Sequence, residues 1–589
     1  MRFTAFVERN FYAREAALFL RKDKGNAQCA THNAQEIAAE YIMEWRGIRL
    51  GMDVYETEIK IPAQGLYFYW FTAYNGLKEI RLGGGADGKG EFVQLVTSAD
   101  YAASKRLNGG VMYQIFVDRF AMAACHGDTT SPLAECQGRG GRYKTRADAV
   151  YRDDWGGAPF VKKGADGKLL NNDFFGGNLD GVIEKLPYLK SLGVACVYLN
   201  PIFKAYSNHK YDTGDYFQVD PDFGGNEAFS RLCAAAKKRG IKIILDGVFS
   251  HTGADSRYFN KYGKYESTGA YQSKDSPYYK WYNFKRFPDK YDCWWDIDIL
   301  PAVNEAEPSY DEFINGADGV VAHWLKAGAA GWRLDVADEL PDGFLDNLCR
   351  RAKKAKKDAV IIGEVWEDAA VKEAYGNRRR YFQGGQLDGT TNYPLREGII
   401  SFVTGGGTDA LCGAFDIMLT HYPKGAADTL MNVLGTHDTE RILTVIKNIK
   451  LLKAAAALQF SAPGVPCVYY GDEAGAEGGR DPFCRGCFPW GKENREILAF
   501  YKKLGAIRKK HGVFKTGGTE ILYAQKDVFI IRRFQETGRG EIITAVNIGD
   551  KDFEFVPDGR YQCLLTGAAL QGECVLKGGD ILILLNIEQ

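Results

Sequence analysis

The sequence predicts an α/β fold: a (β/α)₈ TIM barrel with a β-sandwich domain before it, an inserted domain after its third strand and a second β-sandwich behind it. Three observations carry that prediction. Eight short apolar runs of strand character recur between residues 109 and 510, separated by segments of helical length, which is the texture of βα units around a parallel sheet. Polar residues gather at the C-terminal ends of those runs, where barrels keep their reactive groups. The two ends of the chain are written differently, in the period-2 alternation of antiparallel sheets.

Residues 1–108 contain FTAFVE, AALFLR, YETEIKI and LYFYWFTAY between polar or glycine-containing turns, and are assigned to the first β-sandwich. The barrel, 109–510, draws its strands from VMYQIFV, VACVYLN, IKIILDGVF, AGWRLDVA, AVIIGEVW, LDGTTNY, MNVLGTHD and CVYYGDE. Their polar ends are Asn200, Asp246, Asp335, Glu364, Asn392, Asp438 and Asp472. After the third strand, residues 253–304 are aromatic and charged without clean periodicity. That stretch is too long for a βα loop and is assigned to an inserted domain over the barrel mouth. Residues 511–589 alternate again in ILYAQ, VFIIRRF, EIITAVNI and ILILL, the second β-sandwich.

A length of 589 residues, 45% hydrophobic and 25% charged, suits three or four domains. The 75 basic and 75 acidic residues cancel, so neither nucleic acid nor an anionic membrane is expected as partner, and a neutral ligand fits better. Aromatics at 13% suit a chain whose rings stack on flat ligand faces, although rings more often fill cores. The start, MRFTAFVERNFYARE, shows no apolar leader, and no uninterrupted apolar run reaches the ~18 residues of a membrane span. Thirteen cysteines, an odd number scattered through buried-looking segments (Cys196, Cys233, Cys467), read as free thiols of the cytoplasm.

Asp335 and Glu364 lie 29 residues apart, about one βα unit, which places them on neighbouring strands at the same barrel end. Asp438 adds a third carboxylate from a later strand. Paired carboxylates about 5 to 5.5 Å apart are what glycoside hydrolysis with retention needs, one attacking and one donating a proton. Arg333, two residues before Asp335, shares its face and is expected to keep it ionised. Glu364 needs the opposite, a raised pKa, from the nearby negative charge and its flanks Val365 and Trp366.

DGVFSH at 246–251, GWRLDVADE at 331–339, GEVW at 363–366 and THD at 436–438 stand in order along the chain. FGGNLDGVIEKLPYLKSLGV, SNHKYDTGDYFQVDPDFG and PGVPCVYYGDEAGAEGGRDPFCR extend the pattern over about 110–490. In these segments the chain resembles the α-amylase family, glycoside hydrolase family 13, and within it the neopullulanase, cyclomaltodextrinase and maltogenic amylase branch. The resemblance implies Asp335 as nucleophile, Glu364 as acid/base and Asp438 as the carboxylate that holds the reacting sugar. It further implies that Tyr211 stacks on that sugar, that His251, His437 and Arg333 bind its hydroxyls and the nucleophile, that Asp481 and Arg485 close its non-reducing side, and that Trp366 borders the leaving group. His209 is evenly balanced between a functional and a structural role. The first β domain is expected to bind carbohydrate, to form a homodimer or to be purely structural.

The implied activity is hydrolysis of α-1,4 links, with α-1,6 links left open as a second target, in maltodextrin, cyclodextrin, pullulan or starch fragments. A 4-α-glucanotransferase uses the same residues and stays open. A non-catalytic relative is disfavoured because all three carboxylates are present. No cofactor is required and no metal site is assigned. Ser250 stands where many amylases have a calcium-ligating Asn, and a hydroxyl is a poorer ligand for a hard cation. Asp128, Asp173 and Asn178 are weak candidates for a structural calcium elsewhere. Cys484 and Cys487 form a C-x-x-C read as incidental, and AYNGLKEIRLGGGADGKG lacks the ending of a phosphate loop.

Overall fold

A computed structural model describes residues 1–23, 38–61, 63–84, 90–98, 103–123, 149–163, 170–535, 538 and 540–588. Eight parallel strands form the central sheet: β1 (Val111–Ile115), β2 (Val194–Leu199), β3 (Lys242–Gly247), β4 (Gly331–Leu334), β5 (Val360–Gly363), β6 (Gly389–Thr390), β7 (Met431–Val433) and β8 (Val465–Tyr469). Their order is β6-β5-β4-β3-β2-β1-β8-β7, and a parallel bridge from Thr391 to Met431 closes the ring. All eight runs expected from the sequence are strands of this barrel.

Alternation along each strand decides what reaches the mouth. Cys196 and Tyr198 on β2, Ile244 on β3, and Val360 and Ile362 on β5 all join one buried apolar cluster, with Met431, Val433, Val465 and Cys467 from the closing strands. Two residues further on, the same faces carry Asn200, Asp246 and Glu364, so period-2 geometry aims these polar groups into the barrel top. Arg333 is in register with Asp246 and with Ile362, and therefore points the same way. Gly331 is required beneath it: a Cβ there would stand 2.1 Å from the carbonyl oxygen of Val360, so any side chain would force β4 away from β5.

Helices cover the barrel between strands, among them Leu179–Ser191, Gly225–Lys238, Val320–Ala327, Asp342–Ala355, Ile449–Ser461 and Arg495–Lys510. Asn178 caps the first of these, its side chain accepting from the Gly181 N–H at 2.8 Å. Among the described residues no helix is long and apolar enough to cross a membrane.

The stretch after β3 is held by aromatic packing rather than by regular structure. Phe259 meets the rings of Tyr271, Tyr282, Phe284 and Tyr291. Its two ends are tied, His251 pairing with Ala302 and the Val303 N–H donating to the Ser250 carbonyl at 3.0 Å.

By contacts the chain divides into two compact units. One takes in Met1–Ala102 together with Asp368–Gln386 and Asp416–Lys424; the other holds the rest, including the C-terminal β strands. The first unit is thus discontinuous in sequence, which a linear reading of composition does not reveal. Its strands are antiparallel, running Arg2–Glu8, Met52–Glu58, Ala39–Arg49, Glu15–Lys22, Gly65–Tyr74 and Glu79–Leu82 in sheet order. Phe3 on the first of these packs edge-on against Tyr69 on the fifth, 5.0 Å between centroids, so the sheet folds over itself around Leu18, Leu20, Met43 and Phe71. The last β domain, starting at Gly518–Gln525, encloses Ile530, Ile543, Tyr561, Cys574 and Leu584.

Candidate active site

Arg333 organises the barrel mouth. Its Nη1 donates to Asp246 and to Asp335, each at 2.8 Å, and its Nη2 lies 2.9 Å from Glu364. The guanidinium is almost wholly buried, 3% exposed, as are the three acids around it. Asp335 and Glu364 therefore hang from the two ends of one planar cation, a fork that fixes their mutual orientation.

The charges do not divide as the sequence suggested. Burial raises the pKa of Asp335 well above the ordinary carboxylate range, Arg333 opposes this, and the charges of Glu364 and Asp246 add to the rise. Glu364 is also raised, by burial first, with Arg333 opposing and Asp438 adding. Arg333 was expected to hold Asp335 ionised, but one guanidinium serves three carboxylates, so its charge is shared. Burial and the shared cation leave both carboxyl groups above their ordinary range.

A strained turn links the two acids. Val336, directly after Asp335, has φ of 38°, a left-handed conformation that costs a β-branched residue roughly 1–3 kcal/mol. In that conformation its N–H donates to Glu364 Oε2 at 2.9 Å. No feature of the sequence marks Val336 for this role.

Tyr211 and His437 form the neighbouring wall, their rings stacked at 5.3 Å with 8° between planes. The Tyr211 hydroxyl donates to Asp246 at 3.0 Å and accepts from Asn200 at 3.1 Å. Gln114 Nε2 stands 2.9 Å from His437 Nδ1, which assigns the ring proton to Nε2, 3.1 Å from Asp438. Burial, then Arg485 and Arg333, hold His437 neutral. Arg485 donates to the His437 carbonyl at 2.9 Å and contacts both Asp481, at 3.0 Å, and Asp438, at 3.4 Å. Asp438 is one-third exposed, more open than Asp246, Asp335 and Glu364.

His251 is buried beside Trp294, 5.4 Å between ring centroids, with Ser250 Oγ at 3.0 Å from its Nδ1. Burial pushes it down to about 4. His209 accepts from the Tyr211 N–H at 3.1 Å, which braces the Tyr211 loop. Trp366 lies flat on Tyr393, 3.8 Å apart and 5° between planes.

Two polar strand ends do not join the site. Asn392 caps the helix Tyr393–Val403, and Asp472 is paired with Arg441 at 3.2 Å. Sequence reasoning missed Tyr198, which donates to Asp246 at 2.5 Å, and Tyr393 beneath Trp366. It also passed over the indoles of Trp294 and Trp295, which donate to Glu339 at 3.1 and 3.4 Å. The WW pair in an insertion without periodicity was the available signal. Cys484 donates to the His437 carbonyl, and burial pushes its thiol up to about 11 and that of Cys487 to about 12, so neither is an activated thiolate.

The two described calcium candidates, Asp173 and Asn178, are engaged by protein donors. Asp173 accepts from Asn208 at 2.8 Å, from the Phe160 N–H at 3.1 Å and from Arg119 at 3.5 Å, and Asn178 is spent on its helix cap. A guanidinium already occupies the position a cation would take. Asp128 lies outside the described residues. We expect chelator to leave activity and melting temperature unchanged; a calcium-reversible loss of either, followed by scanning calorimetry, would point to ligands not yet placed.

With this geometry in hand, comparison with known proteins is specific. The model of the alpha amylase catalytic domain matches residues 114–496. An amylopullulanase from Thermoanaerobacterium saccharolyticum is 38% identical over 87% of this chain and 44% of its own. A cyclomaltodextrinase from Thermoanaerobacter pseudethanolicus is 31% identical over 86% of this chain and 83% of its own. Among solved structures, the cyclic α-maltosyl-(1→6)-maltose hydrolase of Arthrobacter globiformis superposes with a TM-score of 0.68 at 29% identity, covering 82% of this chain and 99% of that one. The chain belongs to the α-amylase family. It spans less than half the length of the amylopullulanases it matches.

Proposed function

We propose that this protein is a retaining α-glucan hydrolase that cleaves α-1,4 and α-1,6 glucosidic links in short or cyclic maltooligosaccharides. The suspension of Asp335 and Glu364 from opposite ends of Arg333 carries the reading, because it presents two carboxyl groups to one bond in a dry, preorganised pocket. The reactive form has Asp335 ionised and Glu364 protonated: Asp335 attacks the anomeric carbon while Glu364 protonates the departing oxygen. Glu364 then takes a proton from water as the glycosyl ester is hydrolysed. Asp438, reached by solvent and steadied by Arg485 and His437, binds the hydroxyls of the reacting sugar. Tyr211 gives that sugar a flat face, and the Trp366–Tyr393 stack offers a second platform on the leaving side.

The name amylopullulanase supports cleavage of both linkages, and the names cyclomaltodextrinase and cyclic α-maltosyl-(1→6)-maltose hydrolase support the preference for cyclic or short glucans. Free thiols at all ten described cysteines support a cytoplasmic site of action.

Two measurements on first products test the proposal: NMR of their anomeric form, and kcat/KM on cyclodextrin, maltotriose, pullulan and soluble starch. Two successive inversions at the anomeric carbon preserve α configuration, so α products are expected, with cyclodextrin or maltotriose preferred. A β first product would overturn the mechanism. A preference for starch would overturn the substrate class, and predominant transfer to a second sugar would make the chain a glucanotransferase.

A further inference from the structure

A cavity of about 670 Å³ opens at the end of the barrel opposite the carboxylates, and its walls are basic. Arg106 enters it from ahead of β1, Lys237 from the last turn of Gly225–Lys238 and Lys242 from the first residue of β3. Lys326 comes from the end of Val320–Ala327 and Lys356 from the residue after Asp342–Ala355. The remaining wall is small or aliphatic, with Ile241, Leu325 and Gly328. No Asp, Glu or aromatic residue is among the described residues that line it.

The cations are poorly compensated. Arg106 meets Asp358 at 2.8 Å and Lys326 meets Asp318 at 3.2 Å, both acids being largely in solvent. Among the described residues no carboxylate pairs with Lys237 or Lys242. Arg106 Nη1 is buried and has no hydrogen-bond partner. Lys356 Nζ donates to the Ala329 carbonyl at 2.6 Å, and burial and then the charge of Arg106 push its ammonium below the usual range, with Asp358 opposing and Lys237 adding to the effect. Three helix C-termini meet here and each contributes roughly half a negative charge. Even with the two carboxylates they leave the five cations in excess, which an anion would relieve.

We propose that this cavity binds a phosphorylated small metabolite, its phosphate held by Arg106, Lys237, Lys242 and Lys356. The guanidinium fork matches phosphate oxygens, and the ammonium groups complete a charge-assisted shell. The volume lies within the ~300–1,000 Å³ of small-molecule sites and exceeds what inorganic phosphate fills. With no ring to stack on a base, a sugar phosphate fits better than a nucleotide.

The test uses the full chain in phosphate-free buffer, with KCl holding ionic strength constant. Glucose 6-phosphate and inorganic phosphate are titrated by calorimetry and by thermal shift, against the wild type and against Lys237→Ala/Lys242→Ala. Saturable binding is expected for both, tighter for the sugar phosphate, and weakened at least about tenfold in the double variant. Both lysines lie far from the proposed chemistry, so hydrolysis of maltotriose without phosphate should be unchanged in that variant. Equal affinity in the variant, absence of saturable binding, or a thermal shift reproduced by KCl alone would each overturn the site. Equal affinity for the two probes would overturn the sugar component.

Discussion

Asp335→Asn is expected to lower turnover by a factor on the order of 10³ to 10⁶ while leaving the melting temperature equal to or above that of the wild type. The loss follows from chemistry: an amide does not form the glycosyl ester on which the proposed two-step route depends. The retained or raised stability follows from the charge count around Arg333. Asp335 is buried, with Glu364 and Asp246 as charged neighbours, so its ionised form is disfavoured in the folded protein. Asparagine keeps the shape and accepts from Arg333 without adding to the repulsion. Steady-state kinetics on maltotriose and scanning calorimetry decide both halves. Residual activity above about 1% in contaminant-free protein would remove Asp335 from the nucleophile's role. A large fall in melting temperature would show that its charge is structural.

Arg333→Met should act in the opposite sense on stability and in the same sense on activity. Methionine fills the space of the arginine stem but leaves Asp246, Asp335 and Glu364 buried without their cation. Breaking a buried pair in this way costs about 3–5 kcal/mol. The deficit has a pH signature whose sign is fixed by linkage. Without Arg333 the three folded-state carboxyl groups titrate higher still, so over the interval above their unfolded values the folded protein binds more protons than the unfolded one. Stability then falls as pH rises. The variant should melt close to the wild type at about pH 5 and well below it at about pH 8. A gap that does not change with pH would mean that the loss comes from packing, and that the carboxylates do not depend on the guanidinium.

Both experiments bear on residues that local pattern made visible. Strand periodicity with intervening helical segments was enough for the barrel, because eight parallel strands covered by helices have few other ways to bury such runs. Position at strand ends narrowed the carboxylate candidates to a short set that included Asp335 and Glu364, because a period of 2 commits a residue to the face of the one two before it. The family motifs then selected Tyr211, His437, Asp438 and Arg485, which the fold brings into mutual contact.

Other features depended on contacts between distant segments. Asn392 and Asp472 stand at strand ends like the site carboxylates, yet a helix cap takes one and Arg441 the other. Asp173 carries the carboxylate of a cation ligand, but Arg119, 54 residues away, reaches it first. The turn at Val336 exists because the surrounding packing imposes it against the residue's own preference. The basic cavity is assembled from Arg106, Lys237, Lys242, Lys326 and Lys356, a set with no spacing to betray it. Local periodicity was sufficient for the barrel and for the strand ends at which its reactive groups stand. The sharing of one guanidinium among three acids came from the tertiary structure alone, because charge compensation depends on distances between strands.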